Sequence, residues 1–233
     1  MTDTLEGIST TNNGTHLSII GRDLESIPTD LASQFGEGIT ELHLNHNNIK
    51  RVQHLERFSK LKSLVLDNND VEDISDAPQL KELETFWINS NNVSDLDAFL
   101  NIIERRFPNL KWLSLLKNPA CPSELTSHDT DDYQRHRLYV LYKLKNLKQL
   151  KYLDSKEVSA AERKEAETRG SFCKVMVATP TQSPEQDNVP VIENVSQVSQ
   201  SKKPQASSFF GYTKHVYTGK HSEGNRFIKN NDL

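Results

Sequence analysis

Three segments of this chain superimpose without gaps, and no other feature constrains its fold as tightly. ITELHLNHNNIKRV (39–52), LKSLVLDNNDVEDI (61–74) and LETFWINSNNVSDL (83–96) start 22 residues apart, and each reads L-x-x-L-x-L-x-x-N-x-I-x-x-I with an aliphatic or aromatic residue allowed at each apolar place. LKWLSLLKNPA (110–120) keeps the frame after a 27-residue step, and LSIIGRDLESI (17–27) fits it with Arg22 where the asparagine belongs. Self-similarity at a fixed period of this size marks a stacked-repeat architecture whose end units are atypical.

The frame has a physical reading. In L-x-L the two apolar side chains point into the molecule from a short strand, and the residue between them points out. Stacked units then pair these strands into a parallel sheet on a concave side. Asn47, Asn69, Asn91 and Asn118 sit where the chain turns inward. There an amide can satisfy backbone groups that would otherwise be buried without partners. Leu55, Phe58, Ala77, Leu80, Phe99 and Ile103 line the return on the convex side. The spacing of Phe99, Leu100, Ile103 and Phe107 predicts a helix in the longer fourth step.

Beyond the repeats come N-P at 118–119, Y-x-x-H-R-x-x-V-x-x-x-L from Tyr133, and Y-L-D-S-x-x-V from Tyr152. This run resembles the C-terminal cap of the intracellular leucine-rich-repeat family with repeats of about 22 residues. The resemblance implies an α/β solenoid of leucine-rich repeats, closed at its C-terminal end by a helix and a final strand. Lys145 stands where the family commonly has proline, and KQL (148–150) reads as an insertion before the final strand. The expected organisation is a flexible N-terminus (1–14), repeats (15–120), a C-terminal cap (121–177), a disordered linker (178–208) and a linear binding motif (209–233).

Composition narrows the function. Hydrophobic residues make up 35% of the chain, low enough to expect part of it unfolded. A net charge of −4 argues against a nucleic-acid binder. MTDTLEGISTTNNGT has no basic start or apolar run, so no leader is expected. No apolar segment approaches the roughly 18 residues of a membrane helix. Cys121 and Cys173 are too few for a disulfide framework, which suggests a reduced, cytoplasmic chain. No glycine-rich phosphate loop, H-E-x-x-H, C-x-x-C or G-x-S-x-G occurs, so no catalytic residue, cofactor or metal is expected. His43 and His46 read as polar surface residues, because no cysteine or carboxylate joins them at ligand spacing.

The frame also says which side chains face the concave side. Between the inward residues lie Ser18, His43, Val65, Trp87 and Ser114. Two residues further on are Ile20, Asn45, Asp67, Asn89 and Leu116, and two residues before are His16, Glu41, Ser63, Thr85 and Trp112. Both tryptophans therefore project from one face. Either the cap or linker folds over them, or they form an exposed aromatic anchor of the kind enriched in protein interfaces. The second reading makes His43, Val65, Asp67, Trp87, Asn89, Trp112 and Leu116 the candidate partner-binding face.

The chain's last stretch supplies a second candidate. Residues 202–233 carry six Lys/Arg against Glu223 and Asp232, but no block of basic residues forms. A linear motif that orders on its partner fits better than an RNA-binding or membrane-surface tail. Its contact residues would be Phe227, Ile228, Asn231, Asp232 and Leu233, with the leucine in an apolar pocket and its carboxylate on backbone N–H groups. GKHSEGNRFI and the ending NNDL, together with the repeats and cap, resemble a leucine-rich-repeat family of pigment cells. That resemblance implies a non-enzymatic adaptor in melanocyte differentiation and melanosome biogenesis. It implies, as partners, a Rab GTPase of the melanosome type and the Retriever part of the endosomal Commander complex. The expected protein is a cytoplasmic monomer with no nucleic acid and no stable membrane insertion, recruited to endosomes or melanosomes through its partners. The repeats alone leave open a phosphatase regulatory subunit, a spliceosomal scaffold or a ciliary role.

Overall fold

Each repeat contributes one short strand at the place its L-x-L dictates. The computed structural model describes residues 10–11, 14–122 and 130–175. In it β2 (His16–Ser18), β3 (Glu41–His43), β4 (Ser63–Val65), β5 (Thr85–Trp87), β6 (Trp112–Ser114) and β7 (Tyr152–Leu153) pair in parallel in chain order. The register aligns Leu17, Leu42, Leu64, Phe86, Leu113 and Leu153 across the sheet, all at most 1% exposed. Each such side chain contributes about 2 kcal/mol of apolar burial, so the row is the spine of the core.

Both ends of the sheet reverse direction. β1 (Thr10–Thr11) runs antiparallel to β2, and β8 (Lys156–Glu157) antiparallel to β7. The sheet thus begins inside the 1–14 stretch expected to be flexible, before the expected repeat start at residue 15. A parallel stack leaves unpaired backbone groups at its edges, and a strand turned back on each edge covers them. At the N-terminal end the turn includes Gly14, whose φ of 84° suits a residue without a side chain.

After each strand the chain turns sharply through a left-handed residue. His46, Asn68, Ser90 and Lys117 have φ between 54° and 58°, and each immediately precedes a frame asparagine. The asparagines hold that conformation in place. Asn69 Nδ2 donates to the Leu44 and Leu66 carbonyls at 3.0 and 2.9 Å, while its Oδ1 accepts from Ile49 N at 3.0 Å. Asn91 repeats the pattern with Leu66, Ile88 and Val71, and Asn118 with Ile88, Leu115 and Val93. Asn47 starts the ladder, its Oδ1 accepting from Arg22 N and Leu24 N. Arg22 therefore stands at the first, asparagine-free frame because its backbone is held by the next rung.

The convex residues named from the frame, Leu55, Phe58, Ala77, Leu80, Phe99 and Ile103, are all buried. Helices α1 (Thr29–Phe35) and α2 (Leu96–Arg106) lie on this side. α2 is the helix that the spacing of Phe99, Leu100 and Ile103 predicts, started by Asp95, whose carboxylate accepts from Ala98 N at 3.0 Å. Phe86 of the sheet meets Phe107 edge-on at 5.3 Å.

The cap is built from α3 (Thr130–Lys143), α4 (Ala160–Arg169) and a short 3-10 turn (Gly170–Phe172). Leu138, Val140, Leu141 and Leu144 are buried, and α3 buries Arg137 and His136 as well. The KQL insertion forms a turn that places Leu150 in the core beside Leu147. Gly170 lets the end of α4 close on α3, since a Cβ there would lie 2.5 Å from Tyr142 Cβ. Asp97 of α2 ties the cap to the repeats, accepting from Tyr139 Oη at 2.5 Å and pairing with Lys143 at 3.2 Å and Lys174 at 2.6 Å. Partial burial pushes its carboxyl up, but the bonds from Lys174, Tyr139 and Lys143 outweigh this and hold its pKa at about 2. The expected linker (178–208) and binding motif (209–233) lie outside the described residues.

Candidate partner-binding face

The parallel strands place their outward side chains in three columns, and the columns differ in what remains free. In the central one, Trp87 is 43% exposed. Its partners in register are Val65 on β4 and Ser114 on β6, both buried. Val65, expected to offer open surface, is 4% exposed and offers little. His43 is half-buried beside His16, their rings meeting edge-on at 4.5 Å.

The second column is largely committed to the backbone. Asp67 Oδ1 accepts from Asn89 N at 2.8 Å. Asn89 Oδ1 in turn accepts from Ser114 Oγ at 2.6 Å and Leu116 N at 2.9 Å. Asp67 and Asn89 are therefore rungs of a second, shallower ladder before they are contacts for anything else. Leu116 is half-buried at the end of this column, while Ile20 at the other end is 49% exposed.

The third column decides the fate of the second tryptophan. Trp112 is partly covered, its indole stacked on the Tyr152 ring with centroids 6.0 Å apart and planes 9° from parallel. The two tryptophans thus divide between the readings that the sequence leaves open. Trp112 leans on the cap, and Trp87 stays open. Tyr152 was legible as the cap residue in register with Trp112, had the Y-L-D run been laid on the frame as a sixth strand. Phe172, 88% exposed at the end of the cap, carries no periodic signal that could have found it.

Charge on this face is concentrated toward its N-terminal end. His16 Nδ1 lies 3.3 Å from Glu41 Oε2. Burial and the nearby His16 lower the pKa of His43, against the opposing pull of Glu41 and Asp67. Burial also raises the Asp67 carboxyl, offset in part by the hydrogen bonds from Asn89. Two carboxylates act on His43, Glu41 from its own strand and Asp67 from the next unit. Among the described residues, however, no three or more His, Cys, Asp or Glu side chains are grouped to hold a metal ion. Phe227, Ile228, Asn231, Asp232 and Leu233, the candidate tail contacts, lie outside the described residues.

The family model for the leucine-rich repeat matches residues 32–176. The chain is 39% identical over 197 residues to the human leucine-rich melanocyte differentiation-associated protein, covering 81% of this chain and 96% of that one. Its fold is also similar to a chain in the crystal structure of the Drosophila melanogaster SNF/U2A' complex. There the identity is 23% and the TM-score 0.50, over 67% of this chain and 84% of that one.

Proposed function

This chain belongs to the leucine-rich repeat family and, within it, to that of the leucine-rich melanocyte differentiation-associated protein; on that premise we propose that it is a non-enzymatic adaptor in endosomal and pigment-organelle traffic that serves melanocyte differentiation. The concave sheet holds one partner, a Rab GTPase of the melanosome type. The tail, through Phe227, Ile228, Asn231, Asp232 and Leu233, holds the Retriever part of the Commander complex. The protein itself is cytoplasmic and reaches endosomes or melanosomes through these partners. Two weak contacts on one chain engage at raised effective concentration, which gives avidity without new contact area.

The observation that carries the reading is Trp87, a large aromatic left 43% exposed in the middle of a sheet whose neighbouring positions are filled. A buried aromatic anchor is the commonest source of interface energy. Asp67, with its carboxyl raised by burial beside Trp87's strand, supplies a polar contact at its edge.

The test separates the two surfaces. Trp87→Ala is expected to weaken binding of the purified, GTP-loaded Rab at least about tenfold, with the thermal midpoint unchanged. Removal of Leu233 is expected to abolish binding to Retriever and leave the Rab contact intact. Rab binding indifferent to Trp87→Ala would rule out the concave face, and Retriever binding indifferent to Leu233 would rule out the tail.

A further inference from the structure

One flank of the sheet gathers basic side chains. Along the flank where the strands begin, Lys62, Glu84, Lys111 and Lys151 each precede a strand, and their backbones form one continuous ladder. Glu84 N donates to Lys62 O at 2.8 Å, Lys111 N to Glu84 O at 2.7 Å, and Lys151 N to Lys111 O at 2.7 Å. These residues therefore stack along one edge at the strand spacing of about 4.8 Å. Glu84 is neutralised by Lys111 at 2.8 Å. A few residues earlier in each unit come Lys60, Lys81 and Lys148, all exposed, with the exposed Glu82 beside Lys81 as the opposing charge. Asn109 Nδ2 donates to Lys81 O at 3.0 Å, and Leu80 N to Arg106 O at 3.0 Å, which brings the exposed Arg106 to the same edge.

On the flank where the strands end the charges are mixed: Glu72, Asp73 and Asp95 are exposed and Asp70 is half-buried, but Lys50, Arg51 and Lys117 are exposed there too. The basic cluster is thus local to one edge of a chain whose net charge is −4, and the arrangement rather than the net charge sets how it meets a charged surface.

We propose that the edge formed by Lys60, Lys62, Lys81, Arg106, Lys148 and Lys151 docks electrostatically on an anionic membrane. Two features favour a lipid surface over an acidic protein segment. The basic groups are spread along one edge over successive repeats. The apolar residues beneath them, Leu61, Leu83, Leu110 and Leu150, are buried, and the large exposed apolar residues among those described, Ile20, Trp87 and Phe172, belong to other parts of the fold. A contact made by charge alone suits a flat field of headgroups, whereas a protein partner takes apolar anchors. Docking by this edge turns Glu72, Asp73 and Asp95 away from the membrane and leaves the concave face open sideways, so a partner there is not occluded.

Sedimentation of the full chain with vesicles tests this, using phosphatidylcholine alone and phosphatidylcholine with about 30% phosphatidylserine. Binding to the anionic vesicles only, lost as salt rises, is the expected result. The combined variant K60E/K62E/K81E/K148E alters exposed side chains, and circular dichroism checks that it folds. It should bind at least about tenfold more weakly, while E72Q/D73Q on the opposite flank binds as the parent or better. Parent and K60E/K62E/K81E/K148E binding equally would assign the membrane contact to the basic C-terminal segment and overturn the proposal. No binding of the parent to anionic vesicles, with retention on immobilised polyglutamate that the four-fold variant loses, would replace the membrane with an acidic protein partner.

Discussion

Glu162 of α4 grips Arg137 of α3 with both carboxylate oxygens, at 2.7 Å to Nε and 3.0 Å to Nη2. Arg137 is 2% exposed and spends a further donor on the Leu153 carbonyl at 2.6 Å. One side chain thus joins both cap helices to the last parallel strand. Glu162 stands three residues after the capping Ser159, where a glutamate ordinarily turns back to the helix start. Here its carboxylate is drawn to the buried guanidinium instead.

Glu162→Ala should therefore destabilise the protein by about 3 kcal/mol, because it removes the carboxylate bonded to a buried cation and leaves it the neutral Leu153 carbonyl and Tyr133 hydroxyl. Replacing both partners at once, Arg137→Met with Glu162→Leu, should cost much less. Urea midpoints of the two variants decide it. Equal losses would mean that the pair acts through packing and not through charge.

Asn69→Ala should cost roughly 3 kcal/mol, since it strands the Leu44 and Leu66 carbonyls and Ile49 N in the interior. It also releases the left-handed turn at Asn68. An exposed asparagine of the preceding repeat makes the control, and Asn48→Ala should change the unfolding midpoint little. Amide exchange should quicken in the turns on either side of residue 69 first.

Acid should weaken the fold in two separate windows. His136 is buried, and its Nε2 has no partner among the described residues. Burial, with the Arg137 charge second, pushes its pKa down to about 4. The unfolded chain takes up a proton at about 6.5 that the folded one refuses, so stability falls between those values by roughly 3 kcal/mol. Asp97 has the same sign of shift in a lower window. Its contribution is complete above about 4 and disappears as pH falls through about 2. Urea midpoints followed from neutral pH downward should drop more steeply in the parent than in His136→Gln. Parallel curves would show that His136 is not the group responsible.

Much of this was legible because a repeat makes each residue's neighbours predictable from its place in the frame. Leu42, Leu64 and Phe86 had to be inside, Asn69 and Asn91 had to bridge successive turns, and Trp87 had to face out. All do. The antiparallel ends were not legible, because β1 and β8 are two-residue strands without a periodic signal. Nor was the burial of Val65, which outward-facing geometry alone would leave open.

The period and the residue types by themselves determined the solenoid, its inward row, its asparagine ladder and the columns of its concave face. These depend on contacts between equivalent positions of adjacent units, and such contacts recur with the sequence. Tertiary structure alone decided which outward residues stay free. Trp112 is covered because Tyr152, forty positions on, stacks against it, and Arg137 is charged inside the protein because Glu162 comes from another helix. The same holds for the basic edge, which exists only once the units are stacked. Burial, pairing and electrostatic fields are set by neighbours distant in sequence, and only folding brings those neighbours together.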